Sequence, residues 1–160
     1  MDLTLFITSD GMEKLQRRIA FLMNDERPKV IKALAIAREF GDLSENAEYK
    51  AARESQRAID GEIDYLRRRA AHLKVIDSKN IPKDMVRFGA YCRAIDTETG
   101  EELLYRVVGV EELSFSQEEG VMAVSVVSPI GKALLGKKIG EIAAVMAPMG
   151  IRQLEIKEIK

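Results

Sequence analysis

The sequence contains no tryptophan, one cysteine, one histidine and four prolines, and only 6% of its 160 residues are aromatic. A lone Cys92 forms no intramolecular disulfide and has no companions for a thiolate metal site. Thiol and zinc-thiolate chemistry therefore have no basis, and a reducing, cytoplasmic setting is expected. His72 stands without an acid and a nucleophile in any recognisable order, so no catalytic triad is supported. No stretch approaches the ~18 apolar residues that cross a bilayer, and the first residues lack the basic start and apolar run of a signal peptide. A soluble protein without a membrane partner is expected. Neither sign of charge dominates: 25 basic residues oppose 26 acidic ones, a net charge of −1. Any nucleic-acid contact must then be local rather than a bulk attraction.

What is present is charge in quantity, 32% of residues against a usual ~25%, arranged in two patterns. From Met12 to about Asp77 the period is helical. Tyr49, Ala52, Gln56, Ile59, Ile63, Leu66, Ala70 and Leu73 recur at alternating spacings of three and four, the seam of a coiled coil. Met12, Leu15, Ile19 and Leu22 keep that spacing upstream, but Pro28 interrupts it. A kink or break is predicted near Asn24 to Pro28, with Asp25 as a cap, and a fresh apolar face from Val30 through Leu34 and Ala37. Gly41 to Asn46 is a short polar stretch suited to end one helix and start the next, so the two helices run antiparallel. The second, from Glu45 to Leu73, would extend roughly 40 Å. Alanines on both sides of the turn let the helices approach closely there.

After Asp77 the pattern shortens. Met85 to Ile95, Glu102 to Val110, Gly120 to Val127, Glu141 to Met146 and Ile151 to Ile159 are runs rich in Val, Ile and Tyr between Gly and Pro breaks, and read as strands. Ser128-Pro129 followed by Gly136 predicts one short helix. The fold class is α+β: an N-terminal antiparallel helical hairpin over 1–77, a joint at 78–84, and a small, mostly antiparallel β domain with a helix over 85–160.

The hairpin end carries Asp42 and Glu45. Their spacing suits a capping box, which satisfies orphan backbone donors. It equally suits a pair of free carboxylates offering part of the oxygen shell of a divalent cation such as Mg²⁺, which water and phosphate oxygens normally complete. Spacing alone leaves both readings open. Such a pair would be half a site, sensible where a partner supplies the remaining ligands, a phosphate chain and a second ion. Arg38 and Arg53 flank this end; as solvated charges they would pair with neighbours such as Glu39 or Glu54. Tyr49 belongs to the seam. Arg67-Arg68-Arg69 reads as a solvated face.

Gly41-Asp42-Leu43-Ser44-Glu45-Asn46-Ala47-Glu48-Tyr49, continuing into Ala51-Ala52-Arg53-Glu54, resembles the hairpin-end signature of the bacterial Gre transcript-cleavage factors. The resemblance runs along the chain through Arg27-Pro28, Val75-Ile76-Asp77, Phe88-Gly89-Ala90, Tyr105 to Gly109, Ser128-Pro129-Ile130 and Leu135-Gly136-Lys137. It implies an FKBP-like second domain that docks at the rim of the secondary channel of RNA polymerase, while the hairpin reaches the polymerase's active centre. It further implies no enzyme in its own right, but a monomeric elongation factor that stimulates Mg²⁺-dependent cleavage of backtracked RNA. Asp42 and Glu45 match the family's acidic, metal-retaining pair, Arg38 and Arg53 its basic patch toward the nascent RNA 3′ end, and Ser128 and Pro129 its polymerase-docking loop. Mg²⁺ would be shared with the polymerase. Two other readings are an inhibitor of the same channel, which the intact acidic pair disfavours, and a prolyl isomerase, which would require an apolar, usually aromatic-lined pocket in the second domain.

Overall fold

The computed structural model describes residues 2–41, 46–115 and 117–160. The chain divides into two units: Glu13–His72, and a second made of the residues up to Met12 together with Leu73–Lys160.

In the helical unit, α1 (Ser9–Phe21), a π-helical stretch (Leu22–Glu26) and α2 (Arg27–Arg38) follow without a break, and α3 spans Ala47–His72. The 26 residues of α3 span about 39 Å at 1.5 Å per residue. Ala37 pairs with Asn46, Arg27 with Asp60 and Arg18 with Glu62, positions that descend in one segment as they climb in the other, so α3 runs antiparallel. Leu34, Ala37, Ala52, Ile63 and Leu66 are buried, while Tyr49, Gln56, Ile59, Ala70 and Leu73 are half-buried, as the seam requires. Ala37 and Ala52 are the small residues expected where the helices approach.

At the kink or break predicted near Asn24 to Pro28 the helix runs on through the π-helical stretch Leu22–Glu26, and Asp25 makes no capping bond. Glu26, preceding α2, is itself helical and makes no capping bond, and Pro28 lies in the first turn of α2. Proline removes one N–H and crowds the carbonyl four residues earlier. A π turn, one residue wider, opens that carbonyl row and lets the helix continue.

The second unit holds a five-stranded sheet in the order β5-β4-β3-β7-β6, with β3 Tyr91–Asp96, β4 Glu102–Val108, β5 Val121–Ser125, β6 Ile142–Ala147 and β7 Gly150–Ile159. All pairs are antiparallel except β4 with β5. The short helix α4 (Pro129–Leu134) connects β5 to β6. Alternate residues of β3, Cys92 and Ala94, join Tyr105, Val107, Val126, Leu134, Leu154 and Ile156 in the core. Burial pushes the Cys92 thiol up to about 11, far from the thiolate that reactivity needs. The first predicted strand begins at Tyr91 rather than Met85, because Val86 bonds to Lys137 and Gly136 instead of to a strand.

The compact units part at Met12/Glu13 and at His72/Leu73 for a reason that local patterning does not reveal. β1 (Phe6–Thr8) pairs in parallel with β2 (Lys74–Ile76), which makes residues on both sides of the hairpin part of the sheet-bearing unit. A buried polar network fastens β1 and the start of α1 there. The fully buried Glu112 carboxylate accepts from Thr8 N–H at 3.0 Å, Gly109 N–H at 2.8 Å and the Thr8 hydroxyl. A Cβ on Gly11 would overlap that carboxylate, so glycine is required for the approach. Arg106, 3% exposed, holds Asp10 in a bidentate pair at 2.7 and 2.9 Å and stacks over the Tyr91 ring.

The Arg106 hydrogen bonds hold the Asp10 carboxyl well below the usual carboxylate range, against burial, which acts the other way; Ser78 adds to the lowering. A depressed folded value means that the stability Asp10 adds is fully present above the unfolded value of ~3.9 and is lost as pH falls toward the folded one. Urea midpoints measured between pH 6 and pH 2.5 should therefore fall less steeply below pH 4 in Asp10→Asn than in the parent. Equal slopes would contradict this assignment.

Candidate functional site

At the hairpin end α2 finishes at Arg38, with Glu39 N–H bonding back to Ile36, and Gly41 takes φ +103°, a left-handed turn that glycine allows without a Cβ penalty. Asp42 and Glu45, the expected carboxylate pair, lie outside the described residues. What bounds them is well defined. Asn46 is the N-cap of α3: its carbonyl accepts from Lys50 N–H at 3.1 Å and its side-chain oxygen from Tyr49 N–H at 3.0 Å. Its side-chain amide donates to the Ala37 carbonyl at 2.8 Å, tying the start of α3 to the end of α2.

Of the orphan donors at the start of α3, the Tyr49 N–H is satisfied by the Asn46 side chain. Sequence reasoning passed over Asn46, although an Asn directly before a helical period is itself a start signal. Replacing it with alanine removes both bonds, and Asn46→Ala should cost about 1 kcal/mol, read as a lower denaturant midpoint. An unchanged midpoint would contradict the capping role.

Arg38 is exposed and Arg53 half-buried. Among the described residues neither forms an ion pair, so the expected partners Glu39 and Glu54 do not hold them. Arg38 sits in the last turn of α2, where the helix dipole favours a cation. Arg53 follows Tyr49 by one turn of α3, on the seam side. Among the described residues no carboxylate engages either planar guanidinium fork, the group that suits phosphate. By contrast, Arg68 pairs with Asp64 at 2.7 Å and the Arg67 guanidinium meets the Met23 sulfur, which leaves the basic run a solvated face.

Ser128 and Pro129 start α4. The Ser128 hydroxyl accepts from Gly131 N–H at 3.1 Å and donates to the Ser125 carbonyl at 2.7 Å, while Pro129 takes the first helical position. Their local bonding is thus structural, but they border a groove of about 420 Å³ lined also by Leu113, Ile130, Val145 and Met146. Among the described residues no aromatic ring lines it. Met146 is 69% and Met149 fully exposed nearby, an apolar surface that the sequence reading did not single out.

Two carboxylates are hard oxygen donors of the kind that Mg²⁺ prefers. Among the described residues no group of three or more His, Cys, Asp or Glu is placed to hold a metal. By donor type alone, Asp42 and Glu45 would suit part of the shell of a shared ion.

Residues 5–75 match the family described as "Transcription elongation factor, N-terminal", and residues 81–160 match "Transcription elongation factor, GreA/GreB, C-term". The chain belongs to the GreA/GreB family of transcription elongation factors. It is 42% identical over 154 residues to the transcription elongation factor GreA of Rickettsia bellii, covering 96% of this chain and 93% of that one. It is 44% identical over 153 residues to GreA of Thermodesulfovibrio yellowstonii, covering 96% and 94%. Among solved structures it is similar to the GreA factor homolog 1 (Gfh1) protein of Thermus thermophilus, at 24% identity over 98% of each chain with a TM-score of 0.43.

Proposed function

We propose that the protein binds RNA polymerase, brings its hairpin end through the secondary channel to the active centre, and stimulates the polymerase's own cleavage of backtracked nascent RNA. Asp42 and Glu45 are the ligands it contributes. Asp42 and Glu45 would hold Mg²⁺ in part, and the ion would supply charge neutralisation and an activated water for phosphodiester hydrolysis. Arg38 and Arg53 meet phosphates of the extruded RNA 3′ segment, a local contact compatible with a chain of net charge −1. The chain supplies no complete active site, and it acts as a factor rather than an enzyme. The groove beside Ser128 and Pro129 is the docking surface on the channel rim.

The observation that carries this reading is the family match over residues 5–75 and 81–160, which include Asp42, Glu45, Ser128 and Pro129. Family membership supports the transcriptional setting. The test is to add the protein to purified polymerase complexes halted in a backtracked register. Release of short 3′ RNA fragments should accelerate by about a hundredfold or more. Slower cleavage in its presence would instead indicate a channel inhibitor, and an unchanged rate would contradict the reading.

A further inference from the structure

Few atoms of this chain are open to a two-electron oxidant. It has no tryptophan, and its single thiol, Cys92, is fully buried and held protonated by that burial, whereas thiol oxidation follows thiolate character and exposure. What remains are the methionine thioethers. Among the described residues Met12 and Met85 are half-buried, while Met23, Met122, Met146 and Met149 are exposed, the last two most of all. The Met23 sulfur already accepts from Arg67.

Met146 is set apart by its position. Along β6, Ile142, Ala144 and Met146 face outward in alternation with the buried Ala143 and Val145, and β6 is an edge of the sheet. Met146 borders the groove of about 420 Å³ together with Leu113, Pro129 and Ile130. It also borders a second groove, of about 410 Å³, with Val127, Pro129, Lys132 and Ala133. Among the described residues only Pro129 and Met146 line both, so a change in this one side chain alters two adjoining apolar surfaces at once. Met149, in the turn between β6 and β7, lines neither.

The chemistry is a single oxygen transfer. The thioether sulfur attacks one oxygen of hydrogen peroxide: an S–O bond forms, the O–O bond breaks, and the departing hydroxide takes the proton of the transferred oxygen and leaves as water. Sulfur loses two electrons and the peroxide gains them. The sulfoxide is polar where the thioether was apolar, and dedicated reductases reverse it. An acceptor pressed into an apolar contact without a donor opposes that contact.

We infer that Met146 is a reversible oxidation site at which peroxide weakens docking of the protein on its partner. This rests on the docking role proposed above for the groove and adds its control. The free protein is the form that is oxidised, and the docked form is shielded.

The experiment treats the full chain with hydrogen peroxide, removes the oxidant and locates added oxygen by peptide mass mapping. The half-saturating concentration and the plateau cleavage rate are then read on backtracked polymerase complexes, each variant against its own untreated sample. Met146 should gain oxygen, and the half-saturating concentration of the parent should rise about tenfold at an unchanged plateau. Methionine sulfoxide reductases of both stereospecificities should bring it back. Treatment should not move Met146→Leu from its own untreated value, because leucine keeps a similar volume without a thioether, while Met149→Leu should respond as the parent does. Excess polymerase added before treatment should slow oxidation of Met146. Circular dichroism of the treated parent checks that the fold persists. Complete oxidation of Met146 with no shift in half-saturation would overturn the inference, as would an equal shift in Met146→Leu or equal oxidation with and without polymerase. A fall in the plateau alone would place the damage on the hairpin and overturn it too. An untreated parent that gives no stimulation would instead overturn the proposed function, and the docking consequence with it.

Discussion

Asp42→Asn/Glu45→Gln is expected to lower stimulated RNA cleavage by about a hundredfold or more, back to the polymerase's unassisted rate. The amides keep the size of the side chains and remove both negative charges, so the change isolates what the carboxylates contribute. A metal ligand or a group aimed at charge developing in the transition state is worth roughly 3 kcal/mol or more when removed, about two orders of magnitude in rate. Docking relies on other residues, so the double variant should still displace the labelled parent from polymerase at similar concentrations. Each single substitution should fall short of the double effect. A double variant that cleaves as well as the parent removes the acidic pair from the mechanism. One that neither cleaves nor competes would show that the pair serves binding instead.

The second large effect concerns stability rather than chemistry. Glu112→Ala leaves the buried Thr8 and Gly109 N–H groups and the Thr8 hydroxyl without the acceptor they share. Each orphaned buried donor costs ~1–3 kcal/mol, and the vacated space adds to the loss. A destabilisation of about 3 kcal/mol is expected, read as a lower urea midpoint at constant slope. Glu112→Gln keeps an acceptor oxygen but places an amide where donors converge, so it should lose less than alanine and more than nothing. A stability within experimental error of the parent for Glu112→Ala would contradict the assignment of this carboxylate as the fastener of the N-terminal strand.

The elements that sequence reasoning reached are those with local causes. The α3 seam follows from three-four spacing, the strands from short β-branched runs between glycines and prolines, and α4 from Ser128, Pro129 and the glycine beyond. What it missed depends on residues far apart in the chain. Phe6–Thr8 and Lys74–Ile76 pair across the entire hairpin, and Glu112 lies 104 positions from Thr8; no window of local sequence contains either pairing. Pro28 signals a kink or break from its local cost alone, and the π turn over Leu22–Glu26 that accommodates it needs the folded helix. At the hairpin end, sequence pointed to Asp42, Glu45, Arg38 and Arg53 by resemblance, while the capping bonds of Asn46 needed the folded hairpin.

The most direct measurement of the central claim is the Mg²⁺ dependence of cleavage in backtracked complexes, with and without the protein. If Asp42 and Glu45 complete a shell that the polymerase leaves partly open, the parent should lower the Mg²⁺ concentration for half-maximal cleavage by about tenfold, and Asp42→Asn/Glu45→Gln should restore the unassisted value. A parent that raises the rate while leaving that concentration unchanged would contradict the claim that the protein contributes metal ligands.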